Sequence, residues 1–353
     1  MSSSRSRLPG SLPARLALLA VPALALLAGV AACSSGTSGS GSGTASDSHT
    51  QSQYEQVVNH VLPSVVQIST SNSTGSGVVY DSKGDIVTNA HVVDGATTVM
   101  VREPTGTNEV AATVVGTFPP DDLAVVRVQS NTSGFKPAVW TDSNDVKVGQ
   151  IVLAMGNPLG LTDSVTQGIV SATGRTVGEG SGSNALITAA IQTSAAINPG
   201  NSGGALVNLN DQVIGIPTLA ARLPDGGGAA PGIGFAIPSD TVRNIAGQLI
   251  KDGKVTKSDR ASLGITAEDA ETTSGQSAGV AVVSVNPGSA AASAGVQPGD
   301  IIVGLNNQQT ATLQHLQTAV AQYPPGTKVT IHYTRDGSAT VRSGTGTLGT
   351  LSG

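Results

Sequence analysis

The sequence predicts a mainly β protein in which two folded domains follow one another. With 353 residues, the chain is too long for one ordinary hydrophobic core. Aromatic residues make up only 2% and charged residues 12%, whereas Gly, Val and Thr are abundant, a composition typical of strands and turns. Short apolar runs separated by Gly, Pro, Asn and Asp indicate many short strands, so barrels or a sandwich are expected for the first domain.

The first domain is predicted over residues 51–252. It begins with a short helix over Tyr54–Val61, which Pro63 ends. It closes with a helix from Ser239 to about Lys251, because apolar residues recur there at helical spacing and Gly253 follows. Between the two helices, strands are predicted at 65–70, 77–80, 86–88, 112–115, 123–128, 151–155, 165–170, 185–191, 204–207 and 213–216.

The second domain is predicted over residues 261–350. A polar stretch from Asp252 to Arg260 separates it from the first and marks a domain boundary. Helices are expected at Ser289–Ala294 and Thr312–Tyr323. Strands are expected near 263–265, 279–285, 301–305, 328–333 and 339–342. Several strands with two helices in under a hundred residues predict a small α+β or partly open barrel domain.

Residues 1–33 have the pattern of a bacterial export signal. Arg5, Arg7 and Arg15 precede an uncharged apolar stretch, and small residues lead to Cys33, the only cysteine. The segment Val30–Cys33 resembles a lipobox, in which the cysteine is acylated and becomes the mature N-terminus. We therefore expect a lipoprotein signal peptide, anchoring at the cell membrane and an extracytoplasmic location. An uncleaved signal anchor is the alternative.

Residues 34–50 are almost all Ser, Gly, Thr and Ala, so a flexible linker is expected between the anchor and the folded part. The formal net charge is −5, and removing the three leader arginines leaves about −8. An acidic chain without Lys/Arg runs argues against nucleic-acid binding. No phosphate-binding loop and no His-Glu-x-x-His metal motif is present, so no cofactor and no metal are expected.

The segment Asn198–Gly204 surrounds Ser202 with glycines. A nucleophilic serine needs free approach of a carbonyl and backbone N–H groups directed at the developing oxyanion, and glycines permit both. Taken alone, the segment is equally consistent with a Gly/Asn turn that happens to contain a serine.

The other two members of a triad can be sought among the histidines and carboxylates. Of five histidines, only His91 falls within the barrel-like region. Asp121 and Asp122 both precede the apolar run that starts at Leu123, and either carboxylate could orient an imidazole. The order His, Asp, Ser is the one that double-barrel chymotrypsin-like proteases use.

These motifs together resemble the HtrA (Deg-type) family of trypsin-like serine proteases. The matching segments are 88–93, 122–125, 156–158, 200–204 and 232–238, and they occur in the order of the family. The resemblance implies a chymotrypsin-like double β-barrel followed by a PDZ domain. It assigns His91 as general base, Asp122 as the orienting acid and Ser202 as nucleophile. It also implies an ATP-independent endopeptidase that cleaves unfolded or misfolded polypeptides in extracytoplasmic protein quality control.

The same resemblance assigns the residues around the triad. The backbone N–H groups of Gly200 and Ser202 would form the oxyanion hole. Ile197, Asn198, Gly234, Phe235 and Ala236 would line the substrate site. Family members commonly form trimers through aromatic contacts near the N-terminus, so a homotrimer is expected, with Tyr54 as the only aromatic residue near that end. One departure is Ser194, where the family often has Asp.

The second domain resembles the PDZ domains of this family. Leu263, Gly264 and Ile265 match the carboxylate-binding loop, whose exposed N–H groups would hold the C-terminus of a peptide while the next strand edge pairs with it. The segments 286–289 and 295–302 match as well. The resemblance therefore implies peptide C-termini as partners of this domain.

Three other functions fit parts of the sequence. Gly200–Gly204 also fits the nucleophile elbow of α/β-hydrolases, but in those enzymes the histidine follows the serine, and here His315 and His332 lie in the PDZ-like unit. A peptide-binding, chaperone-like protein with a resting active site is the main alternative. A purely structural surface lipoprotein would leave the ordered motifs unexplained.

Overall fold

A computed structural model of the chain describes residues 44–104, 108–129, 132–157, 164–178, 185–198, 200–222, 229–272, 275–335 and 337–353. The predicted signal peptide over residues 1–33, with Cys33, lies outside the described residues, as does the linker up to residue 43. Residues from Asp47 to Gly353 belong to one compact unit. No helix within the described ranges is both long and apolar enough to cross a membrane.

The first helix, α1, covers Thr44–Val61 and is longer than the sequence indicates. Val57 and Val61 are buried in the core, and the Gln51 side chain donates a hydrogen bond to Glu55 one turn later, at 2.8 Å. A helix that is anchored at one end extends at little cost. The prediction of a flexible linker is therefore wrong for residues 44–50.

Six strands form a closed barrel in the order β1-β2-β3-β6-β5-β4. They are β1 (Val65–Ser69), β2 (Thr74–Val79), β3 (Asp85–Thr88), β4 (Thr98–Arg102), β5 (Glu109–Phe118) and β6 (Leu123–Val128). All pairs are antiparallel. The interior contains mostly β-branched side chains, among them Val66, Ile68, Ile86 and Val126, as expected for a chain with few aromatic residues.

The next strands form a second ring. They are β7 (Val139–Trp140), β8 (Ile151–Gly156), β9 (Ser164–Gly178), β10 (Leu186–Thr193), β11 (Ala205–Asn208), β12 (Gln212–Arg222) and β13 (Ala229–Pro238). The sheet runs β11-β8-β9-β10-β13-β12, and a further β11–β12 pairing closes it, while β7 adds to β12 in parallel. The predicted double β-barrel is confirmed.

Helix α2 (Ser239–Asp252) follows the second ring and packs back across both barrels. Val242, Ile245 and Leu249 are fully buried in a core that includes residues from the two barrels. Gly253 ends the helix in a left-handed conformation, with φ of 69°, which glycine adopts without strain. The helix predicted from Ser239 to about Lys251 is confirmed.

The second domain contains β14 (Ala261–Ser262), β15 (Ile265–Glu271), β16 (Ser277–Val285), α3 (Ala290–Ser293), β17 (Ile301–Leu305), β18 (Gln308–Gln309), α4 (Leu313–Val320), β19 (Lys328–Thr334), β20 (Arg342–Thr347) and β21 (Gly349–Thr350). Its main sheet has the order β15-β16-β17-β19-β20, so β15 is an edge strand. The strand predicted at 339–342 lies later, at β20, and Leu263 and Gly264 lie between strands rather than in one.

Candidate active site

His91 and Asp122 meet on the first barrel although 30 residues separate them in sequence. His91 lies in a 3-10 turn (Ala90–Val92) after β3. Asp122 follows a second 3-10 turn (Pro119–Asp121), which precedes β6, and β3 and β6 are paired neighbours. The His91 Nδ1 atom lies 2.9 Å and 3.0 Å from the two carboxylate oxygens of Asp122. The carboxylate can only accept, so Nδ1 carries the proton and leaves Nε2 as the basic nitrogen.

The Asp122 residue is fixed by hydrogen bonds on every side and is only 2% exposed. Its side chain accepts from the His91 backbone N–H at 3.1 Å and from the Thr218 hydroxyl. Its carbonyl accepts from Asn89 Nδ2 at 2.9 Å and from the Ala90 N–H at 3.1 Å. Asp122, rather than Asp121, is therefore the carboxylate that contacts the imidazole.

Ser202 lies on the turn between β10 and β11. Its Oγ donates to the carbonyl of Thr218 at 3.5 Å, and its own carbonyl accepts from the Ser76 N–H at 2.9 Å. Thr218 thus contacts Asp122 through its hydroxyl and Ser202 through its carbonyl, which links two members of the expected triad. Sequence reasoning missed Thr218, because a threonine inside a strand carries no recognisable motif.

The glycines after Ser202 are required by close backbone approach. A Cβ on Gly203, whose φ is +81°, would lie 2.2 Å from the Ser76 carbonyl oxygen. A Cβ on Gly204 would lie 2.1 Å from the Met155 carbonyl oxygen. These distances are far below van der Waals contact, so the Gly-Gly pair seats the serine turn directly against β2 and β8.

Ser76 holds the other side of the serine turn. Its hydroxyl donates to the Gly200 carbonyl at 2.6 Å and accepts from the Asn157 N–H at 2.8 Å. The Asn201 N–H donates to the Asn198 carbonyl at 3.0 Å, closing a turn in which Gly200 has a φ of +107°. A positive φ of this kind favours glycine. The hydrogen bond from Ser76 to the Gly200 carbonyl fixes the orientation of the Gly200 backbone beside Ser202.

The residues expected to line the substrate site come together in part. Gly234 lies opposite Thr193 on β10, and a Cβ on it would lie 2.4 Å from Ile197, so Ile197 packs directly on this strand. Phe235 is partly buried. Ala236 is fully buried in the core of the second barrel, so only its backbone can shape the wall.

The Ser194 position, where the family often has Asp, is occupied by a hydroxyl that accepts a hydrogen bond. The Ile169 N–H donates to Ser194 Oγ at 3.0 Å, and Thr193 Oγ1 donates to the Ile169 carbonyl at 3.0 Å. A neutral side chain therefore ties the segment before the serine turn to β9, without the charge that an aspartate would bring.

A groove in the second domain contains the predicted carboxylate-binding loop. Leu263, Gly264 and Ile265 line a cavity of about 350 Å³ together with Leu316 and Gln317 of α4. Gly264 has a φ of +70°, and a Cβ on it would lie 2.4 Å from Ser289 Cβ. The groove runs along β15, the edge of the sheet, where an extended peptide can add as a further strand.

The fold and the site define a double-barrel protein of the trypsin class with an appended peptide-binding domain, and comparisons with known proteins agree. Residues 75–216 match the trypsin-like peptidase domain and residues 261–341 match the PDZ domain. The chain is 43% identical over 268 residues to the periplasmic serine endoprotease DegP of Escherichia coli, covering 74% of this chain and 54% of that one. It is 40% identical over 317 residues to the serine protease PepD of Mycobacterium tuberculosis, covering 84% and 66%.

The chain covers a larger share of a shorter relative and of solved structures. The serine endoprotease DegS of Haemophilus influenzae is 35% identical over 267 residues, which is 75% of this chain and 74% of that one. The structure of the HtrA-type protease AlgW with a tripeptide matches at 32% identity with a TM-score of 0.56, covering 84% and 97%. The chain spans about half the length of the DegP proteins that it matches. It belongs to the HtrA family of trypsin-like serine proteases with a PDZ domain.

Proposed function

We propose that the protein is an ATP-independent serine endopeptidase whose triad is His91, Asp122 and Ser202. The observation that carries the proposal is the contact between His91 Nδ1 and the buried Asp122 carboxylate, with Ser202 joined to the same carboxylate through Thr218. The family membership supports it independently, since the relatives are serine endoproteases.

The chemistry follows from the arrangement. Ser202 Oγ attacks the scissile carbonyl carbon while His91 Nε2 takes the hydroxyl proton, and Asp122 stabilises the imidazolium that forms. The N–H groups of Gly200 and Ser202 donate to the oxyanion of the tetrahedral intermediate. His91 then gives its proton to the leaving amine, and water repeats the sequence on the acyl-enzyme.

The substrate is proposed to be an extended segment of unfolded or misfolded polypeptide. After Pro217, the described residues of β12 pair only with β13, for example Ala220 with Gly234. In the described part of the chain, the other edge of β12 is therefore available to an added strand. Recognition by backbone pairing suits chains that have lost their fold and that share no sequence. Peptide C-termini are proposed to bind the groove along Leu263, Gly264 and Ile265.

The decisive experiment uses the purified protein with β-casein, without ATP and with a chelator present, beside Ser202→Ala. The wild type should cleave casein and should be labelled by a fluorophosphonate, whereas the variant should do neither while keeping its thermal midpoint. Casein that stays bound but intact with the wild type, and no labelling, would favour the peptide-holding alternative over the protease.

Location and assembly complete the proposal. Two of the relatives, DegP and DegQ of Escherichia coli, are periplasmic enzymes, which supports work outside the cytoplasm in protein quality control. Attachment through acylated Cys33 rests on the lipobox, and a homotrimer rests on the family pattern and Tyr54. Cys33→Ser should release the protein from the membrane fraction, while retention there would favour the signal anchor. Light scattering of the purified protein gives the oligomeric mass.

A further inference from the structure

Arg260 connects the second domain to the catalytic barrel. It lies outside both family matches, after residue 216 and one residue before the PDZ match begins. Its Nη1 atom nevertheless donates to the Pro120 carbonyl and to Asp121 Oδ1, each at 2.7 Å. A side chain at the base of the PDZ domain therefore holds the 3-10 turn that precedes β6.

The contact is buried, so removing one partner costs more than it would in a surface ion pair. The Asp121 side chain is 1% exposed and that of Arg260 14%. In the described part of the chain, Asp121 Oδ2 has no hydrogen-bond partner, so Arg260 supplies the principal compensation for this carboxylate. Burial raises the pKa of Asp121, and Arg260 lowers it in part. Removing only the guanidinium would leave a carboxylate without compensation inside the protein.

The held turn leads directly into Asp122. The Asp122 N–H donates to the Pro119 carbonyl at 3.0 Å, and Asp122 has a φ of 49° and a ψ of 44°. This left-handed conformation is uncommon for a residue other than glycine, although aspartate adopts it more readily than most, and here the hydrogen bonds to the Asp122 backbone hold it. It turns the Asp122 side chain toward His91 while that of Asp121 turns toward Arg260.

Arg260 is itself anchored. Its carbonyl accepts from the Leu351 N–H at 2.7 Å, and the Leu351 carbonyl accepts from Ser258 Oγ at 2.6 Å. The adjoining strands β14 and β21 pair with each other, with Ala261 opposite Thr350. The guanidinium thus projects from a backbone that the last strand of the second domain fixes.

We propose that Arg260 is a positioning residue for the triad: by holding Pro120 and Asp121, it fixes the turn that directs Asp122 at His91. The proposal rests on the proposed protease function and adds that a residue at the junction to the second domain helps to set the geometry of Asp122. Because a misplacement of about 1 Å costs about 100-fold in rate, loss of Arg260 should lower kcat by about 10- to 100-fold and leave KM within about twofold.

The test compares Arg260→Gln with Arg127→Gln in the whole protein. Arg127, whose side chain is 42% exposed, also pairs with a buried carboxylate in the same barrel, that of Asp85, at 2.7 Å and 3.0 Å, and it lies at the other end of β6 from the held turn. Both variants should lose stability, but only Arg260→Gln should lose kcat on a short peptide amide, which lacks the free C-terminus that the groove would bind. Equal kcat for the two variants would overturn the proposal.

Two further measurements keep the result decisive. If Arg260→Gln does not fold, the double variant Arg260→Met/Asp121→Asn replaces it, because this variant removes the buried carboxylate charge together with the guanidinium. It should still show the reduced kcat. A kcat equal to that of the wild type would refute the positioning role of Arg260. The downfield proton resonance of His91 Nδ1 reports the contact with Asp122 without turnover. It should shift or vanish in Arg260→Gln and persist in Arg127→Gln, so the positioning role is tested even if the wild type proves inactive.

Discussion

Removing the Thr218 hydroxyl tests whether the link between Asp122 and Ser202 matters for catalysis. Thr218→Val keeps the shape and the backbone carbonyl but deletes the donor to Asp122 Oδ2. A hydrogen bond to a charged group is worth about 1.5–3 kcal/mol, and about 1.4 kcal/mol corresponds to tenfold in rate. The loss of kcat/KM therefore cannot greatly exceed 150-fold from this bond alone. We expect about tenfold, because His91 and its N–H still hold Asp122.

The assay is steady-state hydrolysis of a fluorogenic peptide, with the thermal midpoint measured on the same samples. Thr218→Ser retains the hydroxyl and should keep most of the activity. Thr310→Val is the control for stability, since Thr310 is 1% exposed in the second domain and its hydroxyl has no hydrogen-bond partner within the described residues. If the kcat of Thr218→Val equals that of the wild type and of Thr218→Ser, the idea that this hydroxyl helps to hold Asp122 is refuted.

Two further predictions concern the second domain. Asp300 is buried, and although burial alone would raise its pKa, hydrogen bonds from Arg335 and the Gln297 N–H hold that pKa below its usual value. Its stabilising effect is therefore present above about pH 4 and is lost as the pH falls through the lowered pKa. Asp300→Asn should cost about 3–5 kcal/mol in urea unfolding at pH 7, and this cost should fall progressively as the pH is lowered below about 4. A cost that does not change with pH would contradict this. Gly264→Ala should abolish binding of a labelled C-terminal peptide, measured by fluorescence polarisation, while fluorophosphonate labelling of Ser202 persists. Gly288→Ala is the control, because Gly288 has a similar φ of +75° but open space where its Cβ would lie; this variant should bind the peptide normally.

The fold was predictable because local patterns and the second-domain motifs each carry their own physical signal. Alternating Val, Ile and Thr runs between Gly and Pro mark strands, and helix α2 has three apolar residues on one face with a glycine stop. The apolar pattern of the sequence did not indicate that α1 begins at Thr44. Ser- and Gln-rich residues become helical there because Val57 and Val61 are anchored in the core, and that anchoring depends on residues far along the chain.

Candidate site residues could be picked out of the sequence where a residue type is rare, and could not where it is common. His91 stands out because the first domain has few histidines, and Ser202 because glycines surround it. Ser76 and Thr218 hold the serine turn and Asp122 in the structure, yet each is an ordinary hydroxyl residue in a strand. Their roles arise only when β2 and β12 come together around the turn, which no local pattern encodes.

The Asp121–Asp122 pair shows how tertiary contacts decide between chemically identical neighbours. Both carboxylates are buried, and successive side chains of the turn diverge, one toward the imidazole and the other toward a guanidinium from outside the barrel. Reversing their roles would place His91 against a carboxylate that Arg260 already neutralises, which would stabilise the imidazolium less. The left-handed backbone at Asp122 keeps the two carboxylates apart, so the His91 imidazole keeps a carboxylate partner while Asp121 holds the junction to the next domain.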